Sequence, residues 1–351
     1  MTVIVRAIGR VIERVDLSRI EMTEVIGQIM DGGATPAQIG GLLIALRAKG
    51  ESIDELVGAA TAMRERAAPL ACPDLERSID TCGTGGDGAC TLNVSTLAAV
   101  LLAACGGIVA KHGNRALSSK CGSADVLEAL GVEIDAEPPA VERCLRDAGI
   151  GFAFAPRFHA ATRHASAPRK ELGTRTIFNL LGPLTNPARV RHQVVGVYAQ
   201  QWCSPMAAAL GALGVRRAAV VHAASGLDEI AVRGPTHVAV FRDGAVETYE
   251  LSPREFGCDE SDPAGLAGAE VPHNAAILRA TLAGQLVGHG EPHEAFLQAA
   301  AMTAALGLAL LAPAFELAQL PALYRQARGA ALDGTGTAVL ERWRDASRSD
   351  K

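Results

Sequence analysis

Near the N-terminus, apolar residues recur at helical spacing. Val25, Ile26, Ile29 and Met30 form one stripe, ended by Gly32-Gly33. Thr35-Pro-Ala-Gln38 reads as a capping box with proline at the first helical position. It opens a helix carrying Ile39, Leu42, Leu43 and Leu46, which stops at Lys49-Gly50. Ser52-Ile-Asp-Glu55 is a second capping box, before Leu56, Val57, Ala60 and Met63. Arg6, Arg10 and Arg14 recur every four residues, as on an exposed helix face. Pro69 and Pro73 close the region, so residues 1–72 read as a small helical domain.

From Arg77 the pattern changes to strand–loop–helix alternation. Ile79, Ile108-Val109 and Val132–Ile134 predict short buried strands with helices between them. Gln193–Tyr198 and Ala218–His222 predict further parallel strands, and Thr236–Phe241 with Ala245–Tyr249 flank the hairpin signal Arg242-Asp-Gly. The C-terminal third is again helical. This alternation predicts an α/β domain over residues 73–351.

The chain has 351 residues, enough for one large or two modest domains. Aromatics make up only 4 %, so Ala, Leu, Val and Ile must build the core. The net charge of −5 argues against a nucleic-acid surface. Cysteines 72, 82, 90, 105, 121, 144, 203 and 258 contain no C-x-x-C pair, which disfavours zinc; free thiols fit a reducing cytoplasm. The opening residues Met1-Thr-Val-Ile-Val-Arg6 lack the long apolar core of a signal peptide. Val94–Ala110 and Ala295–Ala312 read as buried helices rather than membrane spans.

The chemistry concentrates in Asp80-Thr-Cys-Gly-Thr-Gly-Gly-Asp87, Asn93-Val-Ser-Thr96 and Lys111-His-Gly-Asn-Arg115. Glycines let backbone N–H groups approach phosphate oxygens, and a helix starting near Ser95 adds its N-terminal partial charge. Lys111 adds a full charge. Asp87 would repel a bare phosphate, but it suits a sugar hydroxyl or a metal ion. Gly83-Thr-Gly85-Gly-Asp-Gly88 also matches the dinucleotide fingerprint, yet the acid expected about 20 residues on is absent. Asp228-Glu229, after a Gly226-Leu turn, offers adjacent carboxylates at a strand end.

Longer motifs narrow the choice. Lys111-His-Gly-Asn-Arg-Ala-Leu-Ser-Ser119, Gly122-Ser-Ala-Asp125, Leu127-Glu-Ala-Leu-Gly131 and Gly151-Phe-Ala-Phe-Ala-Pro156 follow in order. Then come Arg169-Lys-Glu-Leu-Gly-Thr-Arg-Thr-Ile-Phe-Asn-Leu-Leu-Gly-Pro-Leu-Thr-Asn-Pro187 and Gly226-Leu-Asp-Glu229. The set resembles the anthranilate phosphoribosyltransferase family, in register from about Glu24 to the C-terminal region.

That resemblance implies a small helical domain plus a larger α/β domain with a mostly parallel sheet, the nucleoside-phosphorylase-like phosphoribosyltransferase fold. A segment near residues 165–185 would return to the helical domain, and two copies would dimerise through it. The implied reaction joins anthranilate to 5-phosphoribosyl 1-pyrophosphate, giving N-(5-phosphoribosyl)anthranilate and pyrophosphate in tryptophan synthesis. The resemblance assigns Gly83, Gly86, Asp87, Thr91, Asn93, Val94, Ser95, Thr96, Lys111, Ser118, Ser119 and Ser123 to the phosphoribosyl substrate. It assigns Gly83, Asn114 and Arg169 to anthranilate, and Ser95, Asp228 and Glu229 to Mg2+. No dedicated acid or base is implied, since an arylamine is already neutral at pH 7. Arg157, His159, Arg163, His164, Lys170 and Arg175 read as a basic rim. His112 either lines the aromatic site or packs under its loop. Two departures stand out: His222-Ala-Ala-Ser-Gly before Asp228, and Leu297-Gln-Ala-Ala where Leu-Asn-Ala-Ala is more usual.

Three other readings compete. A pyrimidine nucleoside phosphorylase would share the fold but needs a further C-terminal domain. A non-catalytic nucleic-acid binder would favour a basic surface and eroded metal residues. A nicotinamide enzyme rests on the glycine fingerprint alone.

Overall fold

The computed structural model describes residues 2–116, 120–285, 291 and 293–348. Helices α1 (Val3–Ile12), α2 (Arg19–Met30), α3 (Pro36–Lys49) and α4 (Ile53–Glu65) form the N-terminal bundle. Thr35 with Gln38 caps α3 reciprocally, and Ser52 with Glu55 caps α4. A third box, Ser18 with Glu21, opens α2; the sequence reading missed it. The stripe Val25, Ile26, Ile29 and Met30 is buried, and α2 packs against α4. Each such side chain contributes roughly 1.5–3 kcal/mol.

Seven strands follow among the described residues: β1 (Ser78–Asp80), β2 (Ile108–Gly113), β3 (Ile150–Phe154), β4 (His192–Gly196), β5 (Arg217–Ala223), β6 (Thr236–Arg242) and β7 (Ala245–Leu251). Their spatial order is β3-β2-β1-β4-β5-β6-β7. The first five run parallel, and β6 and β7 form the expected antiparallel hairpin. Asp243 and Gly244 both have positive φ, as its tight turn requires. The chain moves outward from β1 to β3, then returns to lay β4 beside β1. Ligand crevices in open α/β sheets form at such a switch point, outside the carboxyl ends of the strands.

Val132–Ile134 is not a strand. The helix Ser123–Leu130 ends in left-handed Gly131 (φ 94°), and the next residues are irregular. Val132 and Ile134 still bury into the core, but without ladder bonds. Ile150–Phe154 takes the edge position instead, paired along β2.

Side-chain alternation divides two cores across the sheet. Val194, Ala219 and Val221 join the core containing α5 (Val94–Ala104) and the helix Glu294–Leu311. Val195, Ala218 and Val220 join the bundle's core. Glu294–Leu311 is, among the described residues, the helix long and apolar enough to cross a membrane; 89 % of it is buried inside the fold. Its Gln298, at the departure noted above, donates to the Asp259 carbonyl at 2.6 Å. The helices Arg163–Leu172 and Phe178–Leu184 lie on the bundle side, where Ala165, Ile177, Leu180 and Leu181 extend its core. Arg64 of α4 ties bundle to sheet domain by donating to the carbonyls of Leu184 (2.6 Å) and Leu213 (2.9 Å).

Candidate active site

The glycine loop leaves β1 at the switch point. Thr84 anchors it on β4: its N–H donates to the Gly196 carbonyl at 2.9 Å, and its hydroxyl accepts the Tyr198 N–H at 3.1 Å. Gly85, Gly86 and Gly88 all have positive φ, a conformation that side-chain-bearing residues rarely adopt. Gly196 is fixed by crowding, because a Cβ there would lie 1.6 Å from the Asp228 carbonyl oxygen. A Cβ on Gly83 would meet the Gly196 carbonyl oxygen at 3.2 Å and Asp228 Oδ2 at 3.4 Å. The β5 extension carrying Asp228-Glu229 therefore sits directly on the loop.

Together these segments line an open cleft. Gly86, Asp87, Thr91, Asn93, Val94, Ser95, Asp228 and Glu229 line it, with Cys90 and Cys121. Thr96 lies beneath, fully buried. Asn93 crosses the cleft wall, donating to the Cys121 carbonyl at 3.1 Å and accepting from Asn274 at 3.3 Å. Ser123 donates to the Asn114 carbonyl at 3.3 Å, to one side of the cleft. Ser118 and Ser119 lie outside the described residues.

Lys111 is 1 % exposed. Its ammonium donates to the Thr81 carbonyl (3.3 Å), the Thr81 hydroxyl (3.2 Å) and the Ser95 hydroxyl (3.3 Å). Those three bonds use all its donors. Its charge thus reaches the cleft from below, through Ser95. Burial lowers its pKa, opposed by Asp80. Burial likewise pushes Asp80 up to about 6, against the pull of Lys111. Asp80 is held by the His112 N–H (3.1 Å) and by Asn186 (2.7 Å), a partner the sequence did not suggest.

The cleft acids are less completely answered. Burial, then the charge of neighbouring Asp87, pushes Asp228 up to about 7. Burial and Asp228 push Glu229 well above the ordinary carboxylate range. Asp87 Oδ2 is buried with no hydrogen-bond partner. Backbone N–H groups of Gly85 and Ser95 offer Asp228 and Glu229 partial relief.

A second zone lies beyond β2. Arg169 is half-buried over the Phe178 ring (4.8 Å), and no acceptor among the described residues pairs with it. Asn114 is exposed at the end of β2. His112 donates from Nδ1 to the Gly182 carbonyl (3.0 Å), and its ring stands 5.1 Å from that of His159. Both Nε2 atoms are buried without partners. His159 therefore does not belong to the basic rim. Burial pushes it down to about 4, and burial with His159 beside it pushes His112 to about 3, so both are neutral.

Sequence comparisons agree with this architecture. The family model described as glycosyl transferase family, helical bundle domain, matches residues 5–67; its α/β domain counterpart matches residues 75–320. An anthranilate phosphoribosyltransferase of Anaeromyxobacter sp. (strain K) is 53 % identical over 296 residues, 84 % of this chain and 86 % of that protein. The chain belongs to the anthranilate phosphoribosyltransferases. Its Cellvibrio japonicus relative is 45 % identical over 94 % of this chain and 95 % of its own length. The Thermus thermophilus enzyme superposes with a TM-score of 0.89 at 41 % identity, covering 97 % of this chain and 99 % of that one. The Saccharomyces cerevisiae enzyme, solved in complex with PRPP and Mg, gives 0.86 at 27 % identity, covering 99 % and 98 %. This chain is thus a phosphoribosyl-transferring enzyme, and the crowded cleft must be read with a polyanionic substrate in view.

A hard cation fits that cleft. Asp87, Ser95, Asp228 and Glu229 offer oxygen donors, one carboxylate oxygen is orphaned, and the acids repel one another. Among the described residues no three His, Cys, Asp or Glu groups form a ready-made cage. An ion here would take further ligands from water and substrate phosphates, as magnesium does.

Proposed function

We propose that this cleft is where the chain joins anthranilate to 5-phosphoribosyl 1-pyrophosphate, the second step of tryptophan synthesis from chorismate. The observation that carries this reading is the crowding of Asp87, Asp228 and Glu229 against a glycine loop at the switch point. Backbone N–H groups of the glycine loop beyond Gly85, backed by the partial positive charge at the start of α5, receive the phosphates. Thr91, Asn93, Val94, Ser95 and Thr96 shape that end of the site, and the hydroxyls of Ser118, Ser119 and Ser123 would serve the phosphates. Lys111 adds charge from below without leaving its buried partners. Ser95, Asp228 and Glu229 would hold Mg2+, which when bound neutralises charge on the departing pyrophosphate.

Displacement at the anomeric carbon passes through an oxocarbenium-like transition state, as in glycosidases. The carboxylate of Asp87 stands where a ribose hydroxyl or the cation would meet it. Arg169 grips the anthranilate carboxylate in a planar fork. Asn114 and the Gly83 backbone align the amine for attack. The arylamine attacks with its own lone pair as the C–O bond to pyrophosphate breaks, and the extra N–H proton passes to water or to the departing pyrophosphate, so no protein base is required.

Residues 1–72 and the returning segment 165–185 make up the helical domain in this reading. Exposed Ile12, Val15, Ile20, Ile44 and Ile53 all lie on it, an apolar surface that supports a homodimer. Eight free cysteines support a cytoplasmic setting.

The test is loss of anthranilate fluorescence on mixing with 5-phosphoribosyl 1-pyrophosphate, with and without magnesium. Rapid, magnesium-dependent loss is expected. No loss with folded protein would overturn the reading.

A further inference from the structure

The returning segment brings one more charge to the cleft. Arg175 lies between the helices Arg163–Leu172 and Phe178–Leu184. Its guanidinium stacks over the Tyr198 ring at 4.3 Å and donates to the Gly86 carbonyl. Among the described residues it has no carboxylate partner. Tyr198 in turn reaches Thr84 through its N–H at 3.1 Å. The loop is therefore tied on both sides of Gly85: at Thr84 by β4 and Tyr198, and at Gly86 by Arg175.

A run of positive-φ glycines loses much conformational freedom when ordered, and it has no side chains with which to hold itself. In a trans peptide the carbonyl and the next N–H point in opposite directions. Drawing the Gly86 carbonyl toward Arg175 turns the Asp87 N–H away from it. It also fixes the start of Asp87, whose carboxylate completes the acid cluster.

We propose that Arg175 is a positioning residue for the phosphoribosyl site: stacked on Tyr198, it holds the Gly86–Asp87 peptide in the orientation that receives the pyrophosphate-bearing substrate. This rests on the reading that the glycine loop binds that substrate. Arg175 is exposed and belongs to no core cluster, so its removal should leave the fold intact.

The experiment is steady-state kinetics and melting of the wild type, Arg175→Ala, Arg175→Lys and Tyr198→Leu. Arg175→Ala should raise KM for 5-phosphoribosyl 1-pyrophosphate about thirtyfold, the weight of one exposed cation–π contact and one charged hydrogen bond. KM for anthranilate should stay within about twofold, with melting unchanged. Arg175→Lys should resemble Arg175→Ala, because it keeps the charge but loses the planar stack. Tyr198→Leu should shift the same KM, and the Arg175→Ala/Tyr198→Leu double variant should be no worse than the worse single one. Full rescue by lysine, an unchanged KM in Arg175→Ala, or equal rises in both KM values would overturn the proposal. A folded wild type that consumes no anthranilate would remove the underlying reading and the proposal with it.

Discussion

Two regions of this molecule treat carboxylates withdrawn wholly or partly from solvent in opposite ways. In the bundle, Glu55 is fully buried and fully answered: it accepts from Leu17 N–H (3.0 Å), Ser52 N–H (2.8 Å) and the Lys49 ammonium (2.9 Å). In the cleft, Asp87, Asp228 and Glu229 face one another, and Asp87 Oδ2 has no partner. The first arrangement is complete without a ligand. The second is held at an electrostatic cost that a cation and its phosphate-bearing substrate would relieve. An enclosed acid is informative about function when its surroundings leave it incompletely satisfied.

The comparison can be broken at the support first. Gly196→Ala would drive the Asp228 backbone off the loop, and misplacement of that size costs about 10²-fold in activity. Turnover near the wild-type rate would show that the acids need not sit where they do. Next, amide substitutions should act with opposite sign on stability. Glu55→Gln breaks a satisfied buried pair and should destabilise the protein by about 3 kcal/mol. Asp228→Asn relieves repulsion and should raise the melting temperature of the metal-free enzyme at pH 8. Melting curves with chelator decide it, and losses in both would erase the contrast.

A weaker effect belongs to the second zone. Arg169→Ala should raise KM for anthranilate about tenfold or more, the weight of a charged hydrogen bond, while that for the phosphoribosyl substrate barely moves. An unchanged anthranilate KM would leave the unpaired guanidinium without a purpose.

The smallest effect is on pH dependence. His112 and His159 are held neutral, with folded pKa values of about 3 and 4 against an ordinary 6.5. The unfolded chain binds protons first, so their contribution is present above pH 6.5 and is lost as pH falls toward those values. Asp80, raised to about 6, works the other way: its contribution is present below about pH 4 and lost as pH rises through 6. His159→Asn should therefore lose less stability than the wild type between pH 6.5 and 4.5, compared by urea titration. Parallel curves would deny the buried-neutral pair.

The sequence revealed most where information is local. Capping boxes, apolar stripes and the Arg242-Asp-Gly hairpin involve neighbours in the chain, and the glycine loop with Asn93–Thr96 is one contiguous motif. What topology assembles was hidden. Gly196, Asn186 and Tyr198 reach the loop only because β4 returns beside β1. Asn274 meets Asn93 from a helix 181 positions away. Val132–Ile134 alternated like a strand, yet the left-handed Gly131 turn gave it no ladder to join. The motif marks Lys111 as a charge for the phosphates; that it sits beneath the cleft, bonded to Thr81 and Ser95, depends on packing that no local motif shows.

The most direct test of the unsatisfied-acid account is a magnesium titration of anthranilate fluorescence loss in the wild type, Asp228→Asn and Glu229→Gln. The account predicts that each variant needs about tenfold more magnesium or more, with KM for anthranilate unchanged. Wild-type magnesium dependence in both variants would contradict it.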